Sequence, residues 1–204
     1  MPRSDSRLSM AALSERDKRE SNGELRSILL DNLTGDSRDL LLDVGGGTGL
    51  LTETLSDIFS EVLVLEPDPR KLEYGAGRRP AVGFIRGSVQ KIPMAPGTVG
   101  TLVSVAAFHH FPDQDAALEE MGRVLKPQGK LLLVEIDVST LRGRMLRFTE
   151  NRLMHGGSNF LTSAQLQEKV EQHGFVNTRI DRTSRGYTVV ATRGVGAEER
   201  PASN

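Results

Sequence analysis

Cysteine is absent from the 204 residues of this chain, and its absence excludes disulfide bonds, thiolate metal ligands and cysteine nucleophiles. Tryptophan is also absent, and aromatic residues make up only 4% of the sequence. The formal net charge is -1, so the chain lacks the basic excess of a general nucleic-acid binder. The scarcity of aromatic rings and of positive charge argues against a nucleic-acid partner or another macromolecular substrate.

Long apolar runs are missing as well, since no stretch approaches the roughly 18 residues that a membrane-spanning helix needs. The N-terminal segment is polar and charged and lacks the apolar part of a secretory signal. We therefore expect no membrane span and a cytoplasmic location. Hydrophobic residues at 37% and charged residues at 26% are ordinary values, and they fit one α/β domain with short extensions.

The stretch that organises the chain is LLLDVGGGTG, from Leu40 to Gly49. The residues up to Val44 form a short, mostly apolar run that suits a strand buried on both faces. Glycines follow at once, and Thr48 then opens a stretch with helical character. Glycine lets a ligand approach the backbone closely, and the N–H groups at the start of the next helix favour an anionic group. The pattern predicts a ligand site at the start of a βαβ unit.

The spacing of the glycines narrows the class of ligand. Gly45, Gly47 and Gly49 form G-x-G-x-G, whereas the sixth position, where the dinucleotide fingerprint needs glycine, is Leu50. No lysine follows, as a phosphate-binding loop would require. Asp43 precedes the turn, and an acid there would repel a pyrophosphate but attract an ammonium group. The residues therefore favour an amino-acid moiety attached to a nucleoside and disfavour an NAD-linked oxidoreductase.

A second acid, Glu66, follows the apolar run of residues 61–65. It lies 21 residues after Gly45, and an acid at about this distance can accept hydrogen bonds from two ribose hydroxyls. Pro67 comes next and breaks the strand. The alternative is a solvated acid at a strand end, but the glycine turn before it favours the ribose role.

Four segments, in this order, resemble the motifs of class I S-adenosylmethionine-dependent methyltransferases. LLLDVGGGTG is similar to motif I of that family, and VLVLEPDP is similar to its second strand with the ribose-binding acid. TLVSVAAFHHFPD and LEEMGRVLKPQGKLLLVE resemble its fourth strand, the helix after that strand and its fifth strand. The resemblance covers Leu25 to Arg193 and is closest to the small type 11 methyltransferases related to the quinone C-methyltransferases.

This resemblance implies a Rossmann-like α/β fold: a doubly wound, seven-stranded, mostly parallel sheet with an antiparallel last strand. It implies a methyltransferase domain at residues 23–193, with a substrate cap inserted at residues 139–160. Residues 1–22 are then a flexible segment or a flap that closes over the cofactor, and residues 194–204 are a disordered tail. The arginines within residues 140–155 fit a solvated helix face, an anion-attracting lid or a dimer contact.

The cofactor that the resemblance implies is S-adenosylmethionine. Ser88 stands where family members usually carry an acid that binds the adenine amino group, and its hydroxyl can accept the same bond without the charge. Small residues after the fourth strand leave room for the sulfonium and its methyl group. The implied cofactor-binding residues are Asp43, Gly45, Gly46, Gly47, Thr48, Gly49, Glu66, Pro67, Ser88, Val89, Ala106 and Ala107.

Methyl transfer from a sulfonium is an in-line displacement, and a general base is needed only if the acceptor must lose a proton. His109 and His110 are the candidate bases, because histidine titrates near neutral pH. The alternative is that one packs inward or lines the pocket without moving protons. Glu135 and Asp137, at the end of the fifth strand, are weaker candidates that we expect to be solvated. We expect no metal site, although Asp113 and the two histidines offer a ligand set.

The leading hypothesis is S-adenosylmethionine-dependent methylation of a small, fairly apolar acceptor at oxygen, carbon or nitrogen. The alternative is a non-catalytic module of the same fold that binds S-adenosylmethionine or S-adenosylhomocysteine, which Ser88 in place of an acid favours. We expect a small-molecule partner, no nucleic acid, and a monomer or homodimer. Local patterns further predict a helix at 48–59, a helix at 112–125, a turn at 126–129, a capped helix at 162–172 and an antiparallel hairpin at 175–192.

Overall fold

The computed structural model describes residues 23, 26–28, 30–31, 39–140, 158–182 and 186–195. Within these ranges helices separate the first three strands, the fourth strand follows the third directly, and a 3-10 helix and an α-helix lead to the fifth strand, after which come a helix and a hairpin. The elements are β1 (Leu40–Val44), α1 (Leu50–Glu53), β2 (Glu61–Glu66), α2 (Pro69–Ala76), β3 (Gly83–Arg86), β4 (Val99–Val105), a 3-10 helix (Phe108–His110), α3 (Gln114–Val124), β5 (Leu125–Ile136), α4 (Ser163–Gln172), β6 (Phe175–Arg182) and β7 (Gly186–Arg193).

Seven strands form one sheet in the order β3-β2-β1-β4-β5-β7-β6. The pairs from β3 to β5 are all parallel, whereas β7 lies antiparallel to both β5 and β6. This order confirms the predicted fold class. The strand order reverses between β1 and β4, because the chain extends the sheet from β1 to β3 in one direction and from β4 onward in the other. Ligands of doubly wound sheets bind at such a point, in the crevice beyond the carboxyl ends of the strands.

Side chains of each central strand alternate between two hydrophobic layers, one on each face of the sheet. Leu41 and Leu42 of β1 are both fully buried and belong to different layers, as do Leu132 and Leu133 of β5. Because helices cover both faces, these strands are continuous apolar runs. One layer also contains Val44, Leu102, Leu118, Met121, Leu131 and Leu166, and the other contains Leu51, Leu55, Val62, Val64 and Val103.

The predicted helix at 48–59 is wrong in length, because α1 ends at Glu53. Directly beyond it the backbone N–H groups of residues 54–56 bond three residues back instead of four, as in the bond from Thr54 to Leu51 at 2.9 Å. The hydroxyls of Thr54 and Ser56 also donate to the carbonyls of Leu51 and Glu53. Such local side-chain bonds compete with the helical pattern and tighten the backbone into turns.

The predicted turn at 126–129 is a bulge inside β5. The pairing with β4 moves from Val99 opposite Leu125 to Thr101 opposite Lys130, so several β5 residues are accommodated without partners. Gln128 adopts a positive φ of 63° to make this bend. The sequence signal for a turn was therefore correct in place, but the strand continues on both sides of it.

The last helix and the hairpin confirm their predictions. Thr162 accepts the N–H of Gln165, and the Gln165 side chain accepts the N–H of Thr162, which makes the predicted capping box. Gly174, with φ of 80°, ends the helix in the left-handed conformation. β6 and β7 then pair in antiparallel register.

Several predictions concern residues outside the described ranges. Residues 1–22, 141–157 and 196–204 hold the predicted flap, most of the cap and nearly all of the tail, so these assignments remain predictions. Among the described residues, no helix combines the length and the apolar character needed to cross a membrane.

Candidate functional site

The glycine turn connects β1 to α1 at the carboxyl edge of the sheet. Gly45, Gly47 and Gly49 have φ values of 77°, 61° and 75°, a region that side chains other than glycine rarely adopt. Space is also restricted, since a Cβ on Gly45 would lie 2.7 Å from the Cβ of Ala107 and one on Gly49 would lie 2.9 Å from Phe84. The conformation therefore favours glycine at all three positions, and the close neighbours also require it at Gly45 and Gly49.

Asp43, the last but one residue of β1, places its carboxylate directly against the glycine turn. A Cβ added to Gly46 would lie 2.6 Å from the Asp43 carboxyl carbon. Asp43 is 2% exposed, and its Oδ2 accepts the hydroxyl of Thr52 of α1 at 2.6 Å. Among the described residues its Oδ1 is buried without a hydrogen-bond partner. Burial raises the pKa of Asp43 to about 6, and the nearby charge of Glu66 acts in the same direction.

Glu66 ends β2 beside the glycine turn. The register places Val44 opposite Leu65, and Gly45 donates its N–H to the Leu65 carbonyl at 2.8 Å, so the turn and Glu66 share one edge of the sheet. Glu66 is only 4% exposed. Its Oε1 accepts the N–H of Asp68 at 3.1 Å and the ammonium of Lys71 at 3.3 Å. Both of these donors bond the same carboxylate oxygen.

Lys71 is a residue of this site that sequence reasoning missed. It lies in the first turn of α2, which begins at Pro69 after the Asp68 cap. Its Cδ is 3.8 Å from the position a Cβ would take on Gly47, so its side chain passes close to the glycine turn as it reaches Glu66. The available signal was its place five residues after the acid, at the start of a helix that follows a strand end.

Ser88 and Val89 lie in the loop after β3. Ser88 is exposed, and its hydroxyl oxygen accepts the N–H of Gln90 at 3.3 Å, whereas Val89 is 7% exposed and belongs to the core. Arg123 of α3 holds the loop further along by donating to the carbonyls of Ile92 and Met94, each at 2.9 Å. The loop is thus fixed on the side of β3, and its start follows the strand that pairs with Glu66.

Ala106 and Ala107 form a tight bend at the end of β4. Ala106 has a positive φ of 48° and donates its N–H to the carbonyl of Val134 at 2.8 Å. Ala107 faces Gly45. A Cβ on Gly45 would lie 2.7 Å from the Ala107 Cβ, so larger side chains do not fit at these two positions. The predicted cofactor residues on β1, β2 and β4 therefore meet at one end of the sheet.

His109 and Glu135 form a buried pair next to this bend. His109 Nδ1 lies 2.6 Å from Glu135 Oε2, and Glu135 Oε1 accepts the N–H of Phe108 at 2.9 Å. The two side chains are 2% and 5% exposed. The expectation that Glu135 and Asp137 are solvated is wrong, because they are only 4% and 8% exposed, and Glu135 lies opposite Tyr187 of β7.

The two histidines differ in their surroundings. The His109 ring stacks on Phe160 with a centroid distance of 4.2 Å and an interplanar angle of 15°. The His109 carbonyl accepts the N–H of Asn159 at 2.8 Å. His110 is exposed, and its Nδ1 lies 3.2 Å from the hydroxyl of Ser158. The 3-10 helix is thus attached to residues 158–160, the end of the predicted cap.

No metal centre is apparent in the described ranges, where no group of three or more His, Cys, Asp or Glu side chains is arranged to hold an ion. The chemistry available at this edge is instead that of two carboxylates, a glycine turn and two imidazoles. The carboxylates can hold a polar nucleoside with a cationic group, and an imidazole can accept a proton.

Comparisons with known proteins show what the chain is similar to. Residues 42–133 match a family described as "Methyltransferase domain". A demethylmenaquinone methyltransferase from Renibacterium salmoninarum is 30% identical over 125 residues, which is 61% of this chain and 53% of the relative. The chain spans about half the length of the curated relatives it matches. The chain is thus similar to methyltransferases over its central part, and the matching relatives include a second demethylmenaquinone methyltransferase, from Paenarthrobacter aurescens, at 30% identity over 110 residues, 54% of this chain and 44% of that relative.

Solved structures share the fold at low sequence identity. One is a chain from the complex between the Haloferax volcanii Trm112 methyltransferase activator and a methyltransferase, with a TM-score of 0.76 and 15% identity. That match covers 96% of this chain and 100% of the other. An S-adenosylmethionine-dependent methyltransferase from Thermotoga maritima has a TM-score of 0.68 and 19% identity, covering 80% and 86% of the two chains. These likenesses support the fold class.

Proposed function

We propose that this chain transfers the methyl group of S-adenosylmethionine to a small, fairly apolar acceptor in the cytoplasm. One observation carries the proposal: the glycine turn, the Glu66 carboxylate and the Ala106–Ala107 bend converge at the carboxyl edge of β1, β2 and β4. This is the crevice where doubly wound sheets bind nucleosides. The names of the relatives support methyl transfer over a binding module without catalysis.

The polar atoms at this edge fit the proposed cofactor. Asp43 keeps a buried Oδ1 that has no hydrogen-bond partner among the described residues, and both recorded hydrogen bonds of Glu66 fall on Oε1. A buried carboxylate without a full set of partners is costly unless a ligand completes it. We assign Glu66 to the ribose hydroxyls and Asp43 to the cationic amino-acid end, with the turn from Gly45 to Gly49 between them.

The remaining cofactor residues follow from the same placement. Ser88 and Val89 begin the loop after β3, and we assign them to the adenine ring through the Ser88 hydroxyl and the Val89 backbone N–H. Pro67 adjoins Glu66, and Thr48 lies within the turn. Ala106 and Ala107 lie across the turn, where their small side chains leave room for a methyl group.

When bound, S-adenosylmethionine supplies a methyl carbon that is already activated by a positively charged sulfur. The chain then needs to hold the acceptor in line with that carbon and to exclude water, and positioning of this kind can supply roughly 7–11 kcal/mol. If the acceptor must lose a proton, we propose that His109 or His110 takes it. An Nδ1–H donated to Glu135 places the basic lone pair of His109 on Nε2.

Calorimetric titration with S-adenosylmethionine tests the cofactor site. We expect binding by the wild-type chain and a loss of at least about tenfold in affinity for Glu66→Ala, since an ionised acceptor is removed from a buried contact. Glu61→Ala is the matched control, because Glu61 is an exposed acid at the opposite end of the same strand. Absence of binding at millimolar cofactor would refute the proposal.

Turnover with a panel of phenols, quinols and amines tests the reaction. Quinols are included because one relative is named for a demethylmenaquinone. Once an acceptor is found, His109→Asn and His110→Asn are compared with the wild type, and a rate loss of about 10²- to 10⁴-fold in one of them identifies the base. Unchanged rates in both would exclude a catalytic histidine, and cofactor binding without transfer to any acceptor would favour the non-catalytic module.

The oligomeric state belongs to the same proposal. We expect a monomer or a homodimer, and light scattering of the purified chain with and without cofactor measures which of the two forms is present. A larger assembly would contradict this expectation.

A further inference from the structure

Glu66 is shared between the proposed ribose site and a lysine that belongs to the same chain. Its Oε1 already accepts two donors, the Asp68 N–H and the Lys71 ammonium, at 3.1 and 3.3 Å. A carboxylate oxygen offers two lone pairs, so these donors saturate Oε1. A ribose diol that bonds both oxygens of Glu66 must therefore replace one of them.

The two donors differ in how easily they can leave. The Asp68 N–H is part of the backbone at the cap of α2, where the Asp68 side chain also accepts the N–H of Arg70 at 2.9 Å. Moving that backbone group would unwind the start of the helix. Lys71 is a long side chain that is 52% exposed, and its ammonium can be solvated without any backbone change. Lys71 is thus the donor that a bound ribose would displace from Glu66.

Lys71 also lies beside the proposed cofactor site. Its Cδ is 3.8 Å from the β position of Gly47, so the stem adjoins the glycine turn while the ammonium contacts Glu66. The side chain bridges the two elements between which the nucleoside is proposed to sit.

We propose that Lys71 competes with the ribose hydroxyls for Glu66 and thereby lowers the affinity for the cofactor and for its demethylated product alike. This inference rests on the proposed function, because it assigns Glu66 to the ribose. Before binding, the lysine keeps a nearly buried carboxylate paired, which reduces the cost of holding that charge at the sheet edge. On binding it gives up this contact, and the strength of the ion pair is subtracted from the binding free energy.

The test is a double-mutant cycle that measures S-adenosylhomocysteine affinity by calorimetry. Lys71→Met keeps the stem and removes the charge, and we expect it to tighten binding about two- to fivefold, the range of a partly exposed ion pair. In the Glu66→Gln background the same substitution should have no effect, since the competitor has lost its partner. Weaker or unchanged binding in Lys71→Met, or equal tightening in both backgrounds, would overturn the inference.

Arg70→Met is the matched control. Arg70 is the neighbouring residue on α2, carries the same charge, and pairs with Asp68 instead of Glu66. Its removal should leave the affinity unchanged, whereas equal tightening would mean that net charge and not competition is responsible. Salt supplies a second measurement, because screening weakens the ion pair and should narrow the gap between wild type and Lys71→Met; a constant gap contradicts the inference.

The two proposals fail in different ways. A wild-type chain that binds neither S-adenosylmethionine nor S-adenosylhomocysteine refutes the proposed function and this inference with it. A wild-type chain that binds both, with an affinity that Lys71→Met does not raise, leaves the proposed function intact and refutes only the role of Lys71.

Discussion

His109 Nδ1 and Glu135 Oε2 lie 2.6 Å apart in a site from which water is nearly excluded. Glu135 comes from β5, and the 3-10 helix that carries His109 follows β4. The second oxygen of Glu135 accepts the Phe108 N–H, so one carboxylate holds both the backbone and the ring of this helix. The pair determines where the candidate base lies relative to the sheet edge.

Replacing Glu135 tests how much this pair stabilises the fold. In Glu135→Ala two buried donors, the Phe108 N–H and His109 Nδ1–H, lose their acceptor, and we expect a loss of about 2–4 kcal/mol in the free energy of unfolding. Urea denaturation measures it. Glu119→Ala, an exposed acid on α3, is the control and should stay within about 0.5 kcal/mol of wild type. An unchanged midpoint for Glu135→Ala would contradict the described pairing.

The raised pKa of Asp43 predicts a specific pH dependence of stability. Because its folded pKa of about 6 exceeds the ordinary 3.8, the folded protein binds this proton more tightly than the unfolded chain. The contribution of Asp43 is therefore most favourable below about pH 4 and is lost as pH rises through 6. At pH 8 the loss is about 3 kcal/mol, taking 1.36 kcal/mol for each pKa unit.

Asp43→Asn removes that ionisation while its amide oxygen can still accept the Thr52 hydroxyl. We expect the variant to be more stable than wild type at pH 8, by up to about 3 kcal/mol, and the advantage to vanish near pH 4. Thermal or urea unfolding across this pH range measures the difference. Asp31→Asn, at an exposed position, should show no such trend. A difference that is constant with pH would show that Asp43 does not titrate in this window.

Gly46→Ala tests the contact between the glycine turn and Asp43. The added Cβ would meet the Asp43 carboxyl group at 2.6 Å, so the turn or the carboxylate must move. We expect a loss of about 1–3 kcal/mol in stability and at least about tenfold weaker cofactor binding, measured by urea unfolding and calorimetry. Gly122→Ala in α3, with its nearest neighbours at 3.8 Å, should instead be neutral or stabilising by up to about 1 kcal/mol. Equal behaviour of the two variants would refute the contact.

Arg123→Met tests whether α3 supports the loop after β3. The guanidinium donates to the Ile92 and Met94 carbonyls and pairs with Glu120 at 2.6 Å. Because these bonds are partly exposed, we expect a loss of about 1.5 kcal/mol in stability by urea unfolding, together with weaker binding of the proposed cofactor by calorimetry. Arg179→Met on the exposed side of β6 is the control. Full stability and affinity in Arg123→Met would mean that the loop does not depend on this anchor.

Local sequence was sufficient for most of the fold. Continuous apolar runs identify β1, β2 and β4 because both faces of these strands are covered, and the capping box at Thr162 marks the start of α4 because its bonds are local. Two local predictions differ from the structure. The hydroxyls of Thr54 and Ser56 bond backbone carbonyls and shorten α1, and a bulge at Gln128 stands where a turn is predicted.

The site was predictable only in part. The sequence identifies the glycine turn with Asp43, and also Glu66, because the motif and its spacing lie within one βαβ unit. The sequence does not identify the side chains that pair with these acids. Glu135 was expected to be solvated, because nothing near it in the sequence indicates that β7 would lie against β5 and bury it beside His109.

The sequence by itself therefore determined the order of the elements and the two acids at the sheet edge, since these depend on short-range patterns. Only the tertiary structure decided which side chains are paired: Lys71 with Glu66, and Glu135 with His109. The reason is physical, because ion pairing and burial depend on strand register and on which elements cover a strand end. Neither ion pairing nor the covering of a strand end produces a periodic pattern in the sequence.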